Sequence, residues 1–356
     1  MHTPLRVIER SDVAEARRAC IARATGLGFD ESDAGRVAIV ASELATNLVK
    51  HGGGGEILLG VEENGDGSGI ELIALDKGRG MADVAQCLRD GYSTAGSAGT
   101  GLGAMERQSD VFELFSAPGL GTAVLARLRP RRRREPPPAG AVLRPLAAGL
   151  RIGGVNVPVR GEPVSGDAWA SAPPPAAADG PGGVRLLLAD GLGHGPLAAQ
   201  ASAEAVRFFR AHWTQTPAEL VETIHLGLRA TRGAAVAVVA IDPERGVVTT
   251  CGIGNIAGTI LAGGQTRRMV SLSGTAGLVA RKFQEFSYPI AAAGGAGRAQ
   301  FLVVMHSDGL VSQWSLDRYP GLAIRDPTLI SAVLYRDYAR GRDDTTVVVV
   351  KGDLSQ

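Results

Sequence analysis

Between Pro130 and Pro138 the chain reads Pro-Arg-Arg-Arg-Arg-Glu-Pro-Pro-Pro. Three consecutive prolines cannot lie inside a helix or a central strand, because each lacks an N–H and has a fixed φ. The run therefore predicts a stiff, extended connector and divides the chain. At 356 residues the chain is also too long for one ordinary core. We read residues 1–129 as one domain, 130–145 as a linker rich in Pro and Arg, and 146–356 as a second domain. The arginines Arg131 to Arg134 read as a solvated part of that linker.

Charge and composition exclude several classes. There are 37 basic and 36 acidic residues, so no global field draws in nucleic acid or a membrane surface. No apolar run approaches the roughly 20 residues of a membrane helix, and Met1 to Arg10 lacks a signal-like apolar core. Cys20, Cys87 and Cys251 are widely spaced, which suits neither a zinc site nor a disulfide framework. A reducing cytoplasm is the expected setting.

In the first domain, Leu5 to Arg10 reads as a strand, and Asp12 to Thr25 as a helix capped by Ser11 or Asp12. A second helix opens at Asp30 with acidic residues in its first turn, where the helix dipole favours them. It runs to His51 and stops at Gly52. Val37, Val40, Ala41, Leu44 and Leu48 recur at three- and four-residue steps and form its core stripe. Glu43 and Asn47, four apart, share another face. Glu suits a proton acceptor, and an Asn oxygen suits a magnesium ligand. Strands follow at Glu56 to Glu63 and Ile70 to Asp76, then a helix near Gly101 and strands at Val111 to Ser116 and Thr122 to Leu128. Asp76 ends a strand beside Gly78 and Gly80, where a carboxylate can accept from an adenine amino group and glycines let a flat base approach. Gly99-Thr100-Gly101-Leu102-Gly103 leads into a helix whose first N–H groups suit phosphate.

These elements, in this order, resemble the GHKL-type (Bergerat) ATP-binding fold of anti-sigma-factor serine kinases and switch kinases over residues 5–128. Glu43 to Gly52 resembles the N-box, Asp76 to Gly80 the adenine box, and Gly99 to Gly103 the phosphate box. The resemblance implies ATP as ligand, Glu43 as the base that activates a Ser or Thr hydroxyl, Asn47 as a magnesium ligand and Asp76 as the adenine acceptor. Nothing resembles the phospho-accepting histidine segment of two-component kinases; His51 reads as structural.

The second domain is strand-rich. Strands are expected at Val184 to Ala189, Ala234 to Ile241, Val247 to Cys251, Ala257 to Leu261, Phe301 to His306 and Thr345 to Val350. Helices are expected at Pro196 to Trp213, Pro217 to Thr231 and Pro327 to Ala339, each with proline at a first helical position. Pro173 to Gly183 reads as an exposed loop. Asp167, Asp190, Asp308 and Asp343 each lie at a strand end or in a glycine turn, where a sandwich can bring them to one edge. Four such carboxylates repel one another unless cations hold them. Hard oxygen donors favour magnesium or manganese, and two such ions can activate a water for attack on phosphate.

The flanks Gly166-Asp167-Ala168-Trp169, Ala189 to Gly195, His306 to Gly309, Arg342 to Val347 and Gly252 to Ile256 resemble the SpoIIE/RsbX-type metal-dependent phosphatases of the PPM family, over about residues 150–351. The resemblance implies that Asp190 bridges two metals and that the Gly191 carbonyl binds one. It places Asp167 on the second metal and Asp308 and Asp343 on the first, with Asp344 the less favoured ligand of its pair. Leu192 stands where many relatives carry a protonating His, so the general acid is unassigned. His194 is expected to cap the following helix.

The expected fold is α+β: an N-terminal α/β sandwich, then a β-sandwich flanked by helices. The expected activity is that of a bacterial signalling switch. It removes phosphate from Ser or Thr of regulator or anti-anti-sigma proteins and adds phosphate with ATP, using Mg2+ and Mn2+. The alternatives are an ATP-sensing or partner-binding first module controlling a phosphatase, or an anti-sigma factor that holds a sigma factor. Neither nucleic acid nor membrane is an expected partner. Homodimer formation is a family-level expectation.

Overall fold

A computed structural model describes residues 1–64, 67–88, 101–131, 149–172, 183–290 and 300–353. The Arg132 to Pro138 stretch, Gly99, Thr100 and most of the Pro173 to Gly183 segment lie outside the described residues. The chain forms two compact units. One comprises His2–Leu143 together with Ser315–Arg336; the other comprises Met1, Arg144–Trp314 and Asp337–Gln356.

The first unit is built on an antiparallel sheet of five strands: β1 (Thr3–Val7), β2 (Gly55–Asn64), β3 (Gly67–Asp76), β4 (Val111–Ser116) and β5 (Thr122–Leu128). Their order across the sheet is β1-β2-β3-β5-β4. Helices α1 (Arg10–Gly26), α2 (Glu31–Asn47) and α4 (Gly101–Gln108) contribute to the main core, and the short α3 is Val84–Leu88. The α2 stripe is core as its period predicts: Val37, Val40 and Ala41 are 0% exposed, Leu44 1% and Leu48 2%. These residues meet Ile57, Leu59, Ile70, Leu72, Val124, Ala126 and Leu128 on one sheet face.

Two boundary expectations change. Glu9, not Ser11 or Asp12, is the N-cap of α1, and the Asp12 carboxylate accepts from the Ile8 and Glu9 N–H groups instead. α2, capped by the Asp30 side chain accepting from the Asp33 N–H, ends at Asn47 and continues as a π-turn, Leu48–Gly52.

Alternation in the strands sends Leu58, Ile73, Leu75, Phe115, Ala123 and Leu125 to the other sheet face, and all six are buried. Such a face needs cover, and the same unit contains Ser315–Arg336. The sequence division placed that segment in the second domain. Tyr319 packs edge-on to Phe115, with ring centroids 6.0 Å apart. Asp326 N–H donates to Glu113. Arg127 donates to Glu71 at 2.7 Å, to both oxygens of Asp326 at 3.1 and 3.3 Å, and to the Thr328 hydroxyl at 2.7 Å. The Arg127, Glu71 and Asp326 side chains are at most 11% exposed.

The second unit is a sandwich of two antiparallel five-stranded sheets. One has the order β13-β10-β9-β8-β7 and uses β7 (Asp167–Ala172), β8 (Val184–Gly191), β9 (Ala234–Asp242), β10 (Val247–Ile253) and β13 (Phe286–Pro289). The other has the order β12-β11-β14-β15-β6 and uses β6 (Arg151–Val157), β11 (Ala257–Ala262), β12 (Gln265–Met269), β14 (Gln300–His306) and β15 (Thr345–Asp353). Leu186, Leu188, Val239 and Ile241 face Ile260, Val303, Met305, Val348 and Val350 across the middle. The outer residues Leu187, Val236, Val238 and Cys251 pack with Ala205, Phe209, Leu220, Val221 and Ile224 of α5 (Pro196–His212) and α6 (Pro217–Gly227). The last helix, α7 (Pro327–Tyr338), begins in the first unit. No helix among the described residues is long and apolar enough to cross a membrane.

Removing the cation from a buried ion network leaves its carboxylates uncompensated, at a cost of about 3–5 kcal/mol. Arg127→Met is therefore expected to lower the stability of the first unit by about that amount in denaturant unfolding, whereas Thr328→Val, which removes one hydroxyl, costs about 1 kcal/mol. A loss below about 1 kcal/mol for Arg127→Met contradicts the role given to this network.

Candidate nucleotide and carboxylate sites

In the first unit, Glu43 lies in the α2 helix and faces the start of α4: a β-carbon on Gly101 would lie 2.8 Å from Oε2 of Glu43. The structure thus brings the candidate base to the first residue of the candidate phosphate-binding helix. Asn47 follows on the last α2 turn, half-buried like Glu43. Gly101, Leu102 and Gly103 open α4, where unpaired N–H groups can hold phosphate oxygens.

Asp76 ends β3 and is 9% exposed. Its Oδ1 accepts from the N–H groups of Gly78 at 2.8 Å and Thr122 at 3.1 Å. Burial raises the carboxyl above its usual range, against those two N–H donors. The glycine at 80 has a different use from the one its position suggests. It sits at φ +68°, and a β-carbon there would meet the Ala117 carbonyl oxygen at 1.9 Å, so Gly80 lets the chain approach itself. On its far side, the Asp76 carbonyl accepts from the Arg336 guanidinium at 2.9 Å.

In the second unit, strand pairing gathers the carboxylates. β7 and β8 are in a register that sets Asp167 directly opposite Asp190. β14 and β15 pair His306 with Val347, so Asp308 and Asp343 both lie just beyond that end of the strand pair. Gly191 closes β8, and its N–H donates to the Gly166 carbonyl beside Asp167.

Neighbouring polar groups hold Asp167, Asp308, Asp343 and Asp344. The Ser307 hydroxyl donates to Asp167 Oδ2 at 2.6 Å and accepts from the Thr346 N–H. Asn255 donates to Asp308 Oδ2 at 2.7 Å. Asp344 accepts from the Val159 N–H on one oxygen and the Gly166 N–H on the other, both at 2.7 Å. That use of both oxygens makes it a backbone clamp beside Asp167. Asp343 accepts the Asp344 N–H. His194 does not cap α5; its Nδ1 meets Glu162 Oε1 at 2.7 Å, and the α5 cap residue is Gly195.

Charge crowding marks the group. Burial, then the charges of Asp167, Asp308, Asp343 and Asp344, push the Asp190 carboxyl well above the carboxylate range. Asp167 rises by burial and by the charges of Asp344 and Asp343, against its Ser307 bond. Asp308 rises by burial and the charge of Asp343. Its neighbour aside, Asp167 Oδ1 is buried without a hydrogen bond of ordinary length, although Thr346 lies near enough to favour the charged form. A buried orphan oxygen amid repelling carboxylates fits a divalent cation, for which all these donors are hard oxygens. Among the described residues, no three His, Cys, Asp or Glu side chains are already gathered as one coordination shell.

Sequence reasoning missed Ser307 and Thr122 as holders of Asp167 and Asp76. Ser307 was visible, directly before Asp308 in a quoted motif, but its hydroxyl points to a different carboxylate. Arg336 carried no local signal.

A raised carboxyl stabilises the fold only while protonated. In metal-free protein, the contribution of Asp190 is present at acid pH and is lost as pH rises from its unfolded value through its raised folded one. Asp190→Asn should therefore raise the melting temperature of the metal-free protein at pH 7–8 and leave it nearly unchanged at pH 4. A fall at pH 7–8 contradicts the repulsion described.

Residues 8–128 match the family described as histidine kinase-like ATPase domain, and residues 180–353 match that described as stage II sporulation protein E (SpoIIE). The chain is 36% identical over 124 residues to the serine/threonine-protein kinase RsbT of Bacillus subtilis, spanning 34% of this chain and 92% of that protein. Among solved structures, RsbX in complex with magnesium aligns at TM-score 0.48 and 20% identity, over 58% of this chain and 96% of that one. The phosphatase domain of Bacillus subtilis SpoIIE with a regulatory fragment aligns at TM-score 0.45 and 15% identity, over 97% and 95%. The chain thus belongs, through residues 8–128, to the RsbT-like branch of the histidine kinase-like ATPase family, and it joins that module to a SpoIIE-type PPM phosphatase domain.

Proposed function

We propose that this protein is a partner-switching enzyme that removes phosphate from Ser or Thr of a regulator protein at the carboxylate site and adds it with ATP at the nucleotide site. The observation that carries the reading is the direct pairing of Asp167 with Asp190 on neighbouring strands, at one end with Asp308 and Asp343. Carboxylates in that arrangement have little structural use without cations.

For the phosphatase, Asp167, Asp190, Asp308, Asp343 and the Gly191 carbonyl would hold Mg2+ or Mn2+. A divalent cation bound there supplies Lewis acidity and offsets the charge of the phosphate. The chain's own part is positioning: Ser307 orients Asp167, Asn255 orients Asp308, and Asp344 ties the Gly166 turn to the start of β15. For the kinase, Glu43 takes the proton from the attacking hydroxyl. The Gly99–Gly103 segment holds phosphate, Asn47 assists through Mg2+, and Asp76 accepts from the adenine amino group with the oxygen its N–H donors leave free. The partners are regulator or anti-anti-sigma proteins, in the cytoplasm. A sigma factor as ligand and pairing of two copies of the chain belong to the same reading.

A second reading has its own observation. The Asp76 backbone is bonded to Arg336, outside the ATPase sequence match. That favours a nucleotide-sensing role for the first module, with or without transfer.

Mass spectrometry of one anti-anti-sigma protein, incubated with ATP and Mg2+ and then with Mn2+ alone, tests both activities. Phosphate should appear in the first step and disappear in the second. Glu43→Ala should slow the first by about 10²-fold or more, and Asp190→Asn should abolish only the second. Dephosphorylation that survives Asp190→Asn contradicts the site; ATP binding without transfer, unchanged by Glu43→Ala, leaves the sensing reading.

A further inference from the structure

The two metal-ligand candidates Asp308 and Asp343 are joined by a stretch of chain that leaves its own unit. At its base the stretch is closed by bonds within the second unit. The Val311 N–H donates to the Tyr338 carbonyl at 2.9 Å, and the Arg340 N–H donates to the Gly309 carbonyl at 2.8 Å. Leu310 and Ala339 pair between these bonds. Gly309 and Arg340 are thus held together, one residue after Asp308 and three before Asp343.

The middle of the stretch, Ser315–Arg336, belongs to the first unit. It is fastened there by polar bonds: Asp326 and Thr328 to Arg127, and the Asp326 N–H to Glu113. The final bond is the one from Arg336 to the carbonyl of Asp76. Arg336 is 9% exposed.

One helix carries both connections. α7 runs unbroken from Pro327 to Tyr338. Arg336, which holds Asp76, and Tyr338, which accepts from Val311, are two residues apart in its last turn. The two residues share one helical turn, so a movement of the backbone at Arg336 is carried to Tyr338. Asp76 is also a place that ligand binding must disturb. Its Oδ1 accepts N–H bonds from Gly78 and Thr122, and an adenine amino group donating to Oδ2 pulls on the same carboxylate.

We propose that α7 couples the two sites, so that a nucleotide at Asp76 shifts the last turn of α7 through Arg336 and thereby resets the Asp308 and Asp343 turns of the phosphatase. The ligand is an adenine nucleotide, and the responding property is divalent-cation affinity. The proposal rests on the nucleotide-site reading above. Coupling between two binding sites is reciprocal: the cation must change nucleotide affinity by the factor by which the nucleotide changes cation affinity.

The test uses the full chain. A fluorescent ATP analogue is titrated with and without Mn2+. Mn2+ binding is followed by calorimetry with and without a non-hydrolysable ATP analogue, at fixed free Mn2+ for any turnover assay on p-nitrophenyl phosphate. The expected result is a shift of about 5-fold or more in both dissociation constants, by the same factor. Arg336→Gln, with its own nucleotide affinity measured in the same titration, should keep basal turnover but lose the shift. Tyr335→Phe, which removes one hydroxyl from the same helix and is a milder change, should reduce it. Nucleotide binding with no shift in the wild-type chain overturns the coupling and leaves the nucleotide site standing. So does a full shift in both variants. Absence of nucleotide binding overturns the site reading, and the coupling with it.

Discussion

Carboxylates brought together in a partly buried place repel one another, and the second unit is built around that repulsion. Its sheets set Asp167 opposite Asp190 and bring Asp308 and Asp343 to a shared end of one strand pair. The surrounding hydroxyl, amide and N–H donors orient individual oxygens without neutralising the group, and Asp190 is left with a strongly raised carboxyl. On the proposed reading the cluster serves a cation and an anionic substrate, because an apolar replacement would be the more stable structure. The phosphatase reading follows from that constraint more firmly than from any single motif.

The first unit has a different dependence. Its sheet has two apolar faces and only one set of helices within its own stretch of sequence. The second face is buried in a unit that includes Ser315–Arg336, with Arg127 bonded to Glu71, Asp326 and Thr328 at its centre. The unit that holds the ATPase match thus also contains residues that lie, in sequence, between Asp308 and Asp343.

Much of this was legible from residue order. The α2 stripe, the strands expected at Glu56 to Glu63 and Ile70 to Asp76, and the strands Val111–Ser116 and Thr122–Leu128 follow from period and turn residues, and the structure has them within three residues. Asp190 and Asp308 were visible because Asp-Gly turns close apolar strands. Other features were hidden for physical reasons. β6 contains Gly153 and Gly154, which weaken a strand signal; yet a β-carbon on Gly154 would lie 2.8 Å from the Val347 carbonyl oxygen, so the glycine serves close strand approach. β12 reads Gln-Thr-Arg-Arg-Met, too polar to stand out, as suits an edge strand. The register that opposes Asp167 to Asp190 is a long-range pairing with no local code. The helix Pro327–Tyr338 was expected, but its apolar residues run almost all round, which shows burial without saying against what.

The central claim is that the carboxylate cluster is a cation site held in readiness by its own repulsion. The most direct measurement is calorimetric titration of Mn2+ into the metal-free protein at pH 7 in two buffers of different ionisation enthalpy. Raised carboxyl values require that binding expel protons, since cation ligands must be deprotonated. The account predicts Mn2+ binding with net proton release that is abolished in Asp190→Asn. Mn2+ binding without proton release, or release unchanged in Asp190→Asn, would contradict it.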